Sequence, residues 1–189
     1  ITGSNISGNL SGNGYNVSNV QFAAVASNVS YAIQSNITGL GTLSNLSVTG
    51  NVTTTGTTSI QQAKEKVTIN ATGAPSTINY DLLTQAILYY TGTPLINQTL
   101  NFRGNSSVTL DTVMSSNQSM TCALMITNGS TAFYPNVFQV DGNVVSVKWT
   151  YPYGAPTQGT ANGIDMYNFN IVKTAGNTYT ILGTVIGYQ

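Results

Sequence analysis

Ile1-Thr2-Gly3, Ile6-Ser7-Gly8, Leu10-Ser11-Gly12, Ile37-Thr38-Gly39 and Val48-Thr49-Gly50 repeat one unit through the first third of the chain. Each is an aliphatic residue, a hydroxyl residue, then glycine. No charged residue occurs between Ile1 and Gln62. Isolated aliphatic side chains among Ser, Thr, Asn and Gly cannot build a core from one chain. Stacked repeats from identical chains can supply the missing apolar partners. Residues 1–62 are therefore expected to form an elongated, parallel, homotrimeric shaft. Its interface candidates are Ile1, Ile6, Leu10, Phe22, Val25, Val29, Ile37, Leu43, Leu46, Val48 and Val52.

Within the shaft, residues 16–34 change character. Phe22, Val25, Val29 and Ala32 are spaced three, four and three, among helix-favouring alanines. A short helix follows, with a stripe suited to a bundle of its own copies. Gln61-Gln62-Ala63-Lys64-Glu65-Lys66 holds three of the ten charged residues and reads as a solvated connector.

From Val67 the hydrophobic period becomes two, the mark of half-buried strands. The expected strands are Lys66–Asn70, Ile78–Leu82, Thr84–Thr91, Thr99–Arg103, Ser119–Thr127, Asn136–Val140, Val144–Thr150, Asp165–Lys173 and Thr178–Gly187. Turn-rich separators lie between them, among them Gly73-Ala74-Pro75, Gly92-Thr93-Pro94 and Asp141-Gly142-Asn143. Hairpins are expected at Asp141-Gly142-Asn143 and around Gly176. Leu110 to Met114 reads as one helical turn after Thr109. The chain is thus expected to be mainly β, with residues 63–189 forming an antiparallel, jelly-roll-like β-sandwich head.

Composition narrows the function. Charged residues make up 5% of the 189, the net charge is zero and histidine is absent. Nucleic acid needs a basic face, so it is not an expected partner. No apolar run reaches the roughly 20 residues of a membrane-spanning helix, so no membrane insertion is expected. Cys122 is the only cysteine and reads as a small core residue. Asn-x-Ser/Thr triplets abound, as the high content of all three residues dictates. Ile1 lies inside a repeat, as expected of a segment of a longer polypeptide.

Gly12-Asn13-Gly14-Tyr15-Asn16-Val17-Ser18-Asn19-Val20, with the alanine-rich run after it, resembles a segment of bacteriophage tail fibres. Leu43-Ser44-Asn45-Leu46-Ser47-Val48-Thr49-Gly50-Asn51-Val52 resembles their shaft repeat. Asn79-Tyr80-Asp81-Leu82-Leu83-Thr84-Gln85-Ala86-Ile87-Leu88-Tyr89-Tyr90, Leu100-Asn101-Phe102-Arg103-Gly104-Asn105-Ser106 and Phe138-Gln139-Val140-Asp141-Gly142 are similar to the C-terminal domain of fibre-like virion proteins of cyanophages and other marine phages. The resemblance implies a homotrimeric virion structural protein on a tail, neck or baseplate. The implied partners are other virion proteins, and host attachment is the implied role. It implies no catalysis. A non-viral cell-surface adhesin with a trimeric stalk, or a virion component that binds no receptor, are the alternatives.

Glycoside hydrolysis would need two carboxyl groups at a set separation. The five acids are Glu65, Asp81, Asp111, Asp141 and Asp165. Glu65 falls in the connector, Asp141 in a turn and Asp111 at a helix start. Asp81 and Asp165 are expected to pair with Arg103, Lys148 or Lys173. No enzyme activity, cofactor or metal is expected. The receptor-binding candidates are Tyr151, Tyr153, Thr157, Gln158 and Asn162, in the long loop Tyr151 to Gly163. Phe133 and Tyr134, in the loop Asn128 to Pro135, are expected beside them. Aromatic faces with neutral hydrogen-bonding groups suit a host surface glycan. Trp149 is expected in the core.

Overall fold

In a computed structural model, residue 42 and residues 46–49, 52–150 and 152–189 are described. The chain divides into two units, Ile1–Thr58 and Ser59–Gln189. In the first unit the described residues form no helix or strand, and Leu46, Val48 and Val52 are exposed. The expected helix at 16–34, and the interface candidates Ile1, Ile6, Leu10, Phe22, Val25, Val29, Ile37 and Leu43, lie outside the described residues. Residues 59–66 of the second unit are exposed and form no helix or strand before its first strand.

The second unit is mainly β. Its strands are β1 (Val67–Gly73), β2 (Thr77–Asp81), β3 (Ile87–Gly92), β4 (Gln98–Arg103), β5 (Gln118–Thr127), β6 (Pro135–Val140), β7 (Asn143–Val144), β8 (Val147–Trp149), β9 (Ile164–Ala175) and β10 (Thr178–Tyr188). One helical turn, α1 (Leu110–Val113), interrupts them. Two mixed sheets result, ordered β1-β3-β5-β9-β10-β8 and β2-β4-β6-β7.

The pairing corrects the expected antiparallel jelly roll. β1, β3 and β5 run parallel in the larger sheet, and β2, β4 and β6 run parallel in the smaller. Successive strands alternate between the sheets, so the chain winds as three coils: β1 to β2, β3 to β4, β5 to β6. Parallel neighbours cannot be joined by a tight turn and need a crossover. Here a strand of the opposite sheet is the crossover. Only the β5-β9-β10 portion and the β6–β7 pair are antiparallel.

Coil stacking aligns like residues in rows. Ile78, Leu100 and Phe138 form one inward row, and Tyr80, Phe102 and Val140 the next. Leu88, Leu124 and Tyr167 face them from the larger sheet. Both sets belong to one buried core. Phe102 and Phe169 meet edge-to-face across it, with centroids 5.0 Å apart. Trp149 packs against this core through Phe138, at 5.4 Å. The Tyr80 hydroxyl reaches the larger sheet, where its one proton is shared between the carbonyl oxygens of Ala86 (2.6 Å) and Ala123 (3.0 Å). Cys122 is buried in the core, which pushes its thiol up to about 12. At the coil corners Gly73 stacks on Gly92. A Cβ on Gly92 would come within 2.6 Å of the Thr72 backbone, so the close approach requires glycine.

The turns largely follow their residues. Asp141 and Gly142 both adopt positive φ, 50° and 81°, in the two-residue turn between β6 and β7. That pattern is the primed hairpin turn in which Asp-Gly is favoured. Asn177, at φ 51°, closes the β9–β10 hairpin beside Gly176. The expected single strand Val144–Thr150 is instead two pieces. β7 ends the smaller sheet, and β8 joins the larger one beside β10.

Few charges remain, and the aspartates hold loops to the sheets. Asp81 pairs with Arg103, its neighbour on the adjacent strand, at 2.5 Å. The Asp141 carboxylate accepts from the backbone N–H groups of Leu110 (2.8 Å) and Asp111 (3.2 Å), while Thr109 caps the same turn. Asp111 does more than complement the turn's dipole. Lys173 is buried and its ammonium donates to the Asp111 carboxylate (2.6 Å) and to the carbonyls of Asp111 and Met114. That bond, then the Asn177 N–H, holds the Asp111 carboxyl below its ordinary value.

Because the Asp111 pKa is lowered on folding, its contribution is complete above the ordinary aspartate value of about 3.9. It is lost as pH falls through the lowered folded value. Acidification from pH 6 to pH 3 is expected to lower the thermal midpoint, and Asp111→Asn to make that fall shallower. Thermal melts of both proteins across this range check it. Parallel curves would refute the assignment.

A candidate functional site between two loops

The receptor-site candidates divide into two loops, and the structure brings the loops together. Residues 128–134 leave β5 and residues 150–163 enter β9, whose neighbouring ends are paired, Thr127 opposite Ile164. Ser130, Thr131, Ala132, Gln158, Gly159, Thr160, Ala161 and Gln189 line a cleft of about 700 Å³ between them. No charged side chain lines it. Hydroxyl and amide groups dominate its chemistry, which suits a neutral, hydroxyl-rich ligand.

A buried hub fixes the two loops. Asp165, 2% exposed, accepts from the Asn128 side-chain amide at 2.9 Å and from the Thr160 N–H at 3.0 Å. Asn128 in turn accepts from the Phe133 N–H, and its own N–H donates to the Gly163 carbonyl. The Asn162 N–H donates to the Gly129 carbonyl at 2.8 Å. A buried carboxylate is tolerable only when such donors replace water. The expected ion pair of Asp165 with a lysine or arginine is therefore corrected: amide donors take that place. Tyr167, fully buried two residues along β9, is raised in pKa, first by burial and then by the charge of Asp165.

The candidates fare differently. Gln158 lines the cleft. Tyr153 is 88% exposed beside Gly154, and Thr157 is exposed outside the lining. Asn162 is exposed but sits at φ 52°, where asparagine serves the turn. Phe133 is half-buried and tied to Asn128 through its backbone. Tyr134 is half-buried, packs against the core and is not among the residues lining the cleft. Its N–H donates to the Asn97 side chain and its carbonyl accepts from the Gln98 N–H. Tyr151 lies outside the described residues. Ser130, Thr131 and Gln189 were not among the candidates. Their polarity resembles that of every other loop, so nothing local sets them apart.

Among the described residues no group of three or more His, Cys, Asp or Glu side chains could hold a metal ion. Each of the four aspartates has an ion-pair or hydrogen-bond partner within the fold. Comparison with family models, curated proteins and solved structures finds no match.

Asp165→Ala is expected to destabilise the head by about 3 kcal/mol, since it strands buried donors from both loops. Asp165→Asn keeps one acceptor and is expected to cost less. Urea unfolding measures both. A loss under about 1 kcal/mol for the alanine variant would show that the hub does not hold the loops.

Proposed function

We propose that the protein is a non-catalytic subunit of a homotrimeric fibre or appendage of a phage virion, on its tail, neck or baseplate. In this reading the first unit is the shaft and the head takes part in attachment to a host surface glycan. The observation that carries it is the state of Leu46, Val48 and Val52. All three are exposed in a uniformly uncharged segment with no partner among the described residues of their own chain. Copies in register supply such partners at no cost in new sequence. The cleft between residues 130–132 and 158–161 supports the attachment role: it is neutral, polar and mounted on loops at the end of a well-packed scaffold.

Sedimentation of the full chain tests the assembly and is expected to give a particle of three chains. A stable single chain would refute it. Antibody raised against the head is expected to decorate the tail, neck or baseplate of the virion. Tyr153→Ala with Gln158→Ala is expected to weaken adsorption to host cells about tenfold, or about 1.4 kcal/mol, with sedimentation unchanged. Unaltered adsorption would remove the attachment role from this cleft.

A further inference from the structure

The outer faces of the two sheets differ in kind. The smaller sheet turns Thr77, Asn79, Asp81, Thr99, Arg103 and Gln139 outward, with the exposed Val137 and Val144 among them, a mixed and partly charged face. The larger sheet turns a cross-strand row of apolar side chains outward: Ile69, Tyr89, Met125, Met166 and Ile186, one from each of β1, β3, β5, β9 and β10. Ile69 is 64% exposed and Ile186 50%. Val67 and Leu182, also outward, are exposed as well. At strand spacing the row is about 19 Å wide. Beside it runs a groove of about 590 Å³ along the same sheet, reaching Thr121, Asn168, Asn170 and Leu182. The side-chain oxygen of Asn170 is buried there without a hydrogen-bond partner. A contiguous apolar face of this kind marks an interaction surface.

We infer that this face is covered by further copies of the same chain, the heads of one fibre packing around a common axis through their larger sheets. The inference rests on the homotrimer proposed above and adds the surface that closes it. Two observations favour a second copy over a foreign partner. Residues 59–66 alone join the first unit to β1, the edge strand that carries Ile69, and eight residues span at most about 28 Å. Heads tethered to parallel chains are thus confined to one small volume, at millimolar effective concentration. The apolar row is also free of charge: the groove beside it is lined by two charged residues of opposite sign, Glu65 before β1 and Lys148 on edge strand β8. Identical faces therefore meet without repulsion. Three such faces turned toward one axis close on themselves and leave no apolar face over.

The test uses the full chain. Ile69→Lys with Ile186→Lys places charges at exposed positions, where a lone head tolerates them. Leu95→Lys with Val144→Lys does so at still more exposed apolar sites away from the larger sheet's face. The first pair is expected to lower the temperature at which the assembly dissociates in SDS, and the second to leave it unchanged. On the unaltered protein, Met125 and Met166 are half-open in a single head, whereas Met114 is buried. In the native assembly peroxide is expected to oxidise all three equally slowly. Sedimentation as a single chain overturns the trimer and this inference together. A trimer in which Met125 and Met166 oxidise much faster than Met114, or in which both lysine pairs behave alike, overturns this inference alone.

Discussion

The head depends on one shared interior that neither sheet can form alone. Winding from sheet to sheet places Tyr80, Phe102 and Val140 above one another and sets them against Leu124, Tyr167 and Phe169. Each coil is only two short strands, too little to bury its own apolar face. Stacking supplies the rest, and the β9–β10 hairpin, lying against β5, ends the larger sheet's parallel portion. Truncating a ring such as Phe102 costs on the order of 3–5 kcal/mol. A single neutral hydrogen bond is worth about 1 kcal/mol. The interior therefore decides the fold, and the ladders follow it.

Polar groups act where the winding leaves gaps. The long excursion between β4 and β5 is fastened by Asp141 at the start of α1 and by Lys173 beneath it. The loops around the cleft are fastened by Asp165 and Asn128. In a chain with ten charged residues these are strong local constraints. Each works because the buried charge meets several donors or acceptors at once. The same economy leaves the cleft and the larger sheet's outer row uncharged, which suits neutral ligands and like-with-like packing.

Much of this was legible in the residues. Alternation at period two located nearly every strand, and Asp141-Gly142 and Gly176-Asn177 located the hairpins. Thr109 announced the helical turn. Pairing was not legible, because alternation tells which face a residue occupies and says nothing of its neighbour strand. A usable signal did exist. Gly73-Ala74-Pro75 and Gly92-Thr93-Pro94 each precede an aliphatic-Asn-aromatic triplet, Ile78-Asn79-Tyr80 and Leu100-Asn101-Phe102. That recurrence is the mark of stacked coils. At the site, Tyr153 was legible as an exposed loop residue. Tyr134 was not, since a ring in a loop can equally turn inward. The Asn128–Asp165 hub joins residues far apart in sequence, which no local pattern reveals.

The parallel stack is the claim on which the core, the cleft and the outer face all rest. Asp81 and Arg103 are direct partners on adjacent parallel strands and partly open to solvent. A double variant, Asp81→Cys with Arg103→Cys, tests the register by mild oxidation and peptide mapping. Cys122, buried, with a thiol raised to about 12, is expected to stay out of the reaction. The winding predicts one disulfide between positions 81 and 103 within a chain, formed without loss of the native fold. Free thiols at both positions in the folded protein, or linkage between chains alone, would contradict it.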